Sequence, residues 1–421
     1  MNTLRSGLLL LALLAAPAAA DETCQSPYLP KVTGQEDYLY IWTLGVEGLG
    51  DGSDKLVTVG VNPARPEQYG KVIASVSVGG RHEAHHAGFT DDRRQLWAGG
   101  LDDSAIFVFD VGTDPAKPKL VRTVKDFVAK TGGVVGPHTF YALPGVMLIT
   151  GLSNATDFGG QTAIAEFNNN GGFVRTTWLP EDAKYGYDAR VNAHLNRMLT
   201  SSFTGHANYM RKLSDLLGDA EAMKRFGNTM VVWDFHARKP LQTLSVPGAP
   251  LEIRWALRPE HEYAFTSTAL TAKLWGVFRK PDGSFEAVEI GDIGDPAKTP
   301  LPVDISLSAD DSTLFVDSFM DGMVRIYDVT NPRKARQIHE RKIGAQVNMV
   351  SQSWDGRRLY FTSSLLANWD GTGHEDEQFL KAFRWDGKTL ESAFALDFTA
   401  AKLGRPHIMN LGADAFRVAR R

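Results

Sequence analysis

Cysteine is all but missing from this chain, with Cys24 the single thiol in 421 residues. One thiol closes no internal disulfide, so stability must come from packing. Cys24 is left as a free thiol, a link to another chain or a soft metal ligand. Charge of one sign is missing too. The formal net charge is -4 and there is no basic run, which excludes nucleic acid as a partner. Long apolar runs are missing beyond residue 20. Residues 1–20 read as a secretory signal: Arg5 is the positive start, residues 8–14 the apolar centre, and Ala18, Ala19 and Ala20 the small-residue cleavage site. That apolar stretch is too short to span a bilayer. The expectation is a cleaved leader, a mature domain of residues 21–421, a periplasmic location and no membrane attachment after cleavage.

Turn formers and short strands are what the chain has in quantity. It carries 40 glycines and 20 prolines, a balance that fits an all-β protein. Its length is large for one ordinary core but usual for a radial repeat, in which each unit buries its faces on its neighbours. A short polar-containing strand followed by a more apolar one recurs seven times. The polar strands are EAHHAGF (83–89), GPHTFY (136–141), GYDARV (186–191), PLEIRW (250–255), PVDISLS (302–308), VNMVSQS (347–353) and RPHIMN (405–410). A third strand often ends in an aromatic plus aspartate, as in IFVFD, MVVWD, VRIYD and AFRWD. The spacing is that of propeller blades with insertions.

Residues 37–78 hold strands without a polar first member, whereas the C-terminus holds a polar strand and its partner and then stops. Together they complete one blade, which closes the ring and removes its open edges. The predicted fold is therefore a seven-bladed β-propeller, with six or eight blades as the competing counts. Residues 205–227 break the pattern with apolar residues at helical spacing. This insertion is read as a surface helix patching a blade edge, with a lid over the axis as the sharper alternative.

Aligned on the strand that follows, His86, His138, Asp188, Glu252, Asp304, Asn348 and His407 fall at nearly the same place. In a closed ring these side chains converge on one axis, with His85 beside them. Successive strand residues point to opposite faces, so His85 and His86 both reach the axis only if the strand bulges there. His85, His86, His138 and His407 are the candidate metal ligands, a nitrogen-rich set that suits copper, zinc or iron and, in an exported protein, leans towards copper or zinc. Asp188, Glu252 and Asp304 would share the axis. Buried carboxylates must pair, stay wet or support a metal. Arg190 and Arg254 stand two residues from Asp188 and Glu252 and are their expected partners. Glu252 and Asp304 are the candidates for proton transfer. His82, His194, His236, His261 and His339 read as turn or solvent residues, His374 as solvated, and His206 as an outlying candidate.

The stretches EAHHAGF, GPHTFYALPGVMLIT, APLEIRW, DISLSADDSTLFVDSFMDGMVRIYDVTNP, SWDGRRLYFTSSLLANWD and RPHIMN resemble the selenium-binding protein family, in order and across almost the whole mature chain. The opening DETCQSPYLP resembles its exported bacterial branch. The resemblance implies a seven-bladed propeller and a copper-dependent oxidoreductase acting on a sulfur compound with oxygen as acceptor. Methanethiol, dioxygen and water would give formaldehyde, hydrogen sulfide and hydrogen peroxide. His85 and His86 match the family's double histidine, His138 its histidine before threonine, His407 its C-terminal histidine, and Cys24 a cysteine near its N-terminus. Where animal relatives carry the cysteine associated with selenium, this chain reads Gln68-Tyr69-Gly70, so selenium attachment by that route is not expected. Two rival classes stand beside this reading. One is a non-enzymatic propeller that binds selenium, a metal or a protein partner. The other is a redox enzyme with a cofactor built from its own side chains, for which the chain has nine tryptophans.

Overall fold

The computed structural model describes residues 26–371, 377–415 and 417–418. The leader, Cys24 and His374 lie outside the described residues. Seven four-stranded antiparallel sheets make up the ring, and a two-stranded pair joins Val32–Thr33 to Arg417–Val418. Blade 1 is composite: Arg405–Gly412 is its inner strand, followed by Tyr38–Leu44, Lys55–Gly60 and Val72–Ser77. Blades 2 to 7 are each continuous in sequence. Their inner strands are Ala84–Phe89, Val134–Leu143, Gly186–Asn192, Pro250–Trp255, Pro302–Leu307 and Met349–Gln352. Each inner strand touches the next one round, and the last touches the first, so the ring is closed.

Local chemistry explains the blades. Outer strands such as Val72–Ser77 and Arg336–Lys342 are largely exposed, whereas second and third strands such as Leu359 to Phe361 within Arg358–Thr362 are buried on both faces. Those buried strands are rich in branched and aromatic residues, which suit a pleated surface covered on both sides. The turn out of the inner strand repeats one device. The hydroxyls of Thr90, Ser308 and Ser353 each donate to the aspartate two residues on, at 2.6 Å. Apolar clusters fill the wedges between blades, and Trp42, Trp97 and Trp233 are among their largest fully buried members.

Closure is carried by main-chain pairing of Leu39 with Leu411, Tyr40 with Asn410 and Ile41 with Met409. A buried carboxylate reinforces it. Glu36 accepts from the Tyr360 hydroxyl at 2.6 Å and from Arg358 Nη2 at 3.2 Å, tying blade 7 to the segment entering blade 1.

The insertion is not one helix but three short ones, His206–Tyr209, Leu213–Leu217 and Ala220–Met223. Tyr209, Leu213 and Leu216 pack against Tyr187, Leu251 and Val303 of the inner strands. The segment therefore caps the hub and does not patch a blade edge. It meets a second loop across the axis: Trp369 Nε1 donates to the Arg211 carbonyl at 3.0 Å and Asn368 Nδ2 to the Met210 carbonyl at 2.8 Å. Among the described residues no helix is long and apolar enough to cross a membrane.

Candidate metal centre

The inner strands carry a shared irregularity where the polar residues sit. In blade 2, pairing jumps from Ala84–Gly100 to Ala87–Ala98, so His85 and His86 together face one residue, Gly99. The same two-against-one step places His138 and Thr139 opposite Thr150, Tyr187 and Asp188 opposite Ser201, and Leu251 and Glu252 opposite Ser267. It also places Val303 and Asp304 opposite Asp317, and His407 and Ile408 opposite Trp42. This is a β-bulge, which re-aims side chains at the cost of one local ladder step. It is why adjacent His85 and His86 both reach the axis, their rings 4.9 Å apart.

The bulge corrects the alignment by one residue. His138 and His407 hold the first bulge place, level with His85. His86 holds the second place, level with Asp188, Glu252 and Asp304. The hub thus has two tiers, with His85, His138, Tyr187, Leu251, Val303 and His407 in the first. Hydroxyls of the second strands lace neighbouring bulges together. Thr150 accepts from the Thr139 N–H at 3.1 Å and donates to the Tyr187 carbonyl at 2.6 Å. Ser201 accepts from the Asp188 N–H at 3.1 Å and donates to the Leu251 carbonyl at 2.5 Å.

The four imidazoles form one buried cluster. Ring centroids lie 3.8 Å apart for His85–His407, 4.0 Å for His86–His138, 5.1 Å for His85–His138 and 5.3 Å for His86–His407. Ligand atoms of His85, His86 and His407 all lie within 4.8 Å of one another, as do those of His86, His138 and Glu252. Burial, then the neighbouring rings, holds His85 and His86 well below the ordinary histidine range. Burial lowers His138 and His407 to about 3. All four are therefore neutral imidazoles at neutral pH, the state that binds metals.

Outer contacts decide which nitrogens are left over. His407 Nδ1 lies 2.7 Å from the Ser364 carbonyl and donates to it, which turns Nε2 inward without a partner. His138 Nδ1 lies 3.3 Å from the Thr139 hydroxyl, which itself donates to Asp188 at 2.9 Å, and again Nε2 has no partner. His85 Nδ1 and Glu252 Oε1 are likewise buried without a partner. A buried polar atom left unbonded costs about 1–3 kcal/mol. Several such atoms on one axis, with His138, His407 and Glu252 held by hydrogen bonds at their other ends, are what a metal centre requires. The donor set fits a nitrogen-loving transition metal.

On the other side of the ring the same places hold an ionic chain. Arg190 Nε donates to Asp188 at 2.8 Å and its Nη2 to Glu252 at 3.0 Å. Arg254 Nη1 donates to Glu252 at 2.9 Å and its Nη2 to Asp304 at 2.8 Å. Burial raises Glu252, but Arg254 and Arg190 outweigh it and hold the carboxyl below its usual range. Burial raises Asp304 and Asp188 despite the same arginines. Asp304 has both oxygens engaged, Oδ1 by Arg254 and the Ile305 N–H and Oδ2 by the Val350 N–H at 3.0 Å. Glu252 keeps Oε1 open, 3.8 Å from His86 Nε2.

The two tiers open to different surroundings. Above the first lies an apolar cavity of about 20 Å³, walled by Leu101, Leu152, Tyr187, Leu251, Val303 and the two covering loops, with His85 in its floor. It has room for a guest only slightly larger than water. The Tyr209 hydroxyl, from the cap, is buried in its wall without a partner. Below the second tier, His86, Thr139, Arg190, Glu252 and Arg254 line a polar space.

Alternation alone did not reveal Tyr187, whose ring lies 4.1 Å from that of His138, or Ser364 behind His407. A signal for the first tier was present, since proline precedes the bulge at Pro137, Pro250, Pro302 and Pro406. The remaining histidines stand apart. His82 pairs with Asp103 and His261 with Asp311, each at 2.7 Å. His206 packs on Phe158 and Tyr209 in the cap.

A sequence model described as 56kDa selenium binding protein (SBP56) matches residues 18–406. A protein of Ruegeria pomeroyi named methanethiol oxidase is 56% identical over 412 residues, covering 94% of each chain. One of a Hyphomicrobium species with the same name is 55% identical over 398 residues, covering 94% of this chain and 91% of the other. The crystal structure of a hypothetical selenium-binding protein from Sulfolobus tokodaii superposes with a TM-score of 0.80 at 24% identity, covering 94% of this chain and all 100% of the other, and so shares the fold. With the match running through nearly all of the ring, the chain belongs to the SBP56 family of selenium-binding proteins.

Proposed function

We propose that the chain is a copper-dependent methanethiol oxidase. Methanethiol, dioxygen and water give formaldehyde, hydrogen sulfide and hydrogen peroxide, with the methyl carbon oxidised and dioxygen reduced. The observation that carries this reading is the set of unpartnered His85 Nδ1, His138 Nε2 and His407 Nε2 beneath an apolar cavity sized for a very small guest. The names of the relatives at 56% and 55% identity support it. Copper held by His85, His86, His138 and His407 would supply the electron transfer between thiol and dioxygen, with the bound thiol as thiolate.

The chain's own residues do the rest. Tyr187, Leu251 and Val303 hold the methyl group and exclude water. Tyr209, Leu213 and Trp369 close the cavity from above, and the cap must move to admit larger thiols. Glu252 Oε1 takes the proton that the thiol gives up, because it is the open carboxylate oxygen beside His86. Asp304, engaged at both oxygens, positions Arg254. We further propose that residues 1–20 direct export and are removed, so that the enzyme works in the periplasm. A mature N-terminus at Asp21 is the expected result of sequencing the exported chain.

The decisive experiment pairs copper quantification with oxygen uptake on methanethiol, for the mature protein and for His86→Ala and His407→Ala. Both copper and oxidation should be lost, by about a hundredfold or more in rate. If both persist in the variants, the assignment of the centre is wrong.

A further inference from the structure

We propose that Asp370 is a positioning residue for His407: it fixes the Ser364 carbonyl and, through it, which nitrogen of His407 is left bare at the axis. The consequence for copper rests on the oxidase reading; the consequence for the ring rests on the turn alone. A neutral imidazole carries its proton on either Nδ1 or Nε2, and only the unprotonated nitrogen binds a metal. His407 is offered both arrangements. Its Nδ1 lies 2.7 Å from the Ser364 carbonyl, and donating there leaves Nε2 bare. The Asn348 amide nitrogen stands 2.9 Å from the same Nδ1. Were the amide to donate to the ring, the ring proton would sit on Nε2 and the inward nitrogen would be blocked. The Asn348 amide also donates to the Ser364 carbonyl. That oxygen has two lone pairs, so in its place it satisfies both donors. Displaced, it leaves the amide to turn to the ring.

A buried carboxylate holds Ser364 where it is. Asp370 Oδ2 accepts from the Ser364 hydroxyl at 2.6 Å, and Oδ1 accepts from the Leu365 N–H at 2.8 Å. The Ser364 N–H donates to the carbonyl of Pro406, the residue before His407, at 3.1 Å. Arg405 Nη1 lies 3.5 Å from Asp370 Oδ2, so the carboxylate is also tied to the strand that carries His407. The Asp370 side chain is fully buried, and hydrogen bonds to an ionised group are strong in such surroundings. None of these contacts is to the imidazole, so Asp370 acts on it through Ser364. The rest of the turn is anchored on other partners. The Ala367 N–H donates to Glu83 Oε1 at 2.7 Å, and Asn368 reaches the cap through the Met210 carbonyl at 2.8 Å.

Burial pushes the Asp370 carboxyl up to about 7, so the test is run in alkaline buffer, where it is ionised. Metal-free protein, isotope-labelled at its histidine ring nitrogens, is read by nuclear magnetic resonance, which separates a protonated ring nitrogen from a bare one. The His407 signals are those missing from His407→Gln. In the native protein the proton is expected on Nδ1. Asp370→Asn leaves one acceptor oxygen for two donors, and Ser364→Ala removes the hydroxyl. In each, a clear fraction of the His407 rings should carry the proton on Nε2, and competition with a chelator should show cuprous ion bound about tenfold more weakly. The double variant should be no worse than either single one, because all three break the same contact. Asn368→Ala frees the turn at its exposed cap end and should leave the His407 signals native. Thermal melting checks folding, and Ser364→Ala carries the test if Asp370→Asn does not fold. The proposal is overturned by a native His407 protonated on Nε2, by native His407 signals in both Asp370→Asn and Ser364→Ala, or by the same change of signals in Asn368→Ala. A moved proton with unchanged copper affinity would uphold the role of Asp370 and remove His407 from the ligand set, a failure of the oxidase reading alone.

Discussion

One arc of the hub, in blades 1, 2 and 3, presents imidazoles; the other, in blades 4, 5 and 6, presents carboxylates. The backbone is the same in both, a two-residue bulge facing a single residue of the second strand. What differs is how much of each side chain's bonding capacity the protein uses. In the second arc Asp188 and Asp304 are consumed by Arg190, Arg254 and main-chain N–H groups, and Glu252 is held by both arginines through one oxygen. The imidazoles of the first arc are each left with a bare nitrogen at the axis or stand against one. A bulge repeated round a ring thus serves as an ionic clamp or leaves bare ring nitrogens at the axis, depending on whether the neighbours satisfy it.

Breaking the clamp should have the largest effect on stability. Arg254→Met leaves Glu252 and Asp304 short of a partner in a buried site, and should cost about 3–5 kcal/mol by denaturant unfolding. Metal binding by the opposite arc should survive wherever the variant still folds. Next comes acid. The folded-state values of His138 and His407 are depressed to about 3, from about 6.5 in the unfolded chain. The unfolded state therefore binds more protons in that window, and the metal-free protein should lose stability as pH falls below about 6.5, by up to about 1.4 kcal/mol per pH unit for each such imidazole. H138Q/H407Q should make that slope shallower, read from melting temperature against pH.

Glu252→Gln sharpens the comparison at the point where the arcs meet. It keeps an acceptor for Arg190 and Arg254 but removes the proton acceptor beside His86. Oxidation should slow by about 10- to 100-fold with copper retained. An unchanged rate would remove Glu252 from the proton path. The smallest effect belongs to the cap. Tyr209→Phe deletes a buried hydroxyl with no partner, so the protein should become more stable by about 1 kcal/mol. A loss of stability would mean that the hydroxyl is bonded in solution.

Much of the ring was legible in the chain. Polar strands at blade spacing, the split blade at the termini and the Arg190–Asp188 and Arg254–Glu252 partners all follow from period-2 patterning, because residues two apart share a strand face. The tiers were not legible. Alternation cannot register one extra residue, and a bulge shifts everything before it by one place. That is why His138 and His407 aligned with His86 when their level is that of His85. The cap was misread for a related reason: helical spacing puts Leu213 and Leu217 on one face, whereas the structure buries Leu213 and Leu216 and leaves Leu217 exposed, and spacing does not say which surface a face covers.

Local pattern and composition were enough to specify seven sheets, their closure and the kinds of side chain brought to the hub, since these depend on short-range alternation and on the need to bury apolar faces. Tertiary packing alone decided which nitrogens stay bare, which side of the imidazole layer has apolar walls and which has polar ones, and what closes over it. Those properties depend on hydrogen bonds between residues far apart in the chain, such as Ser364 to His407 and Arg190 to Glu252, and such pairings exist only once the ring has closed.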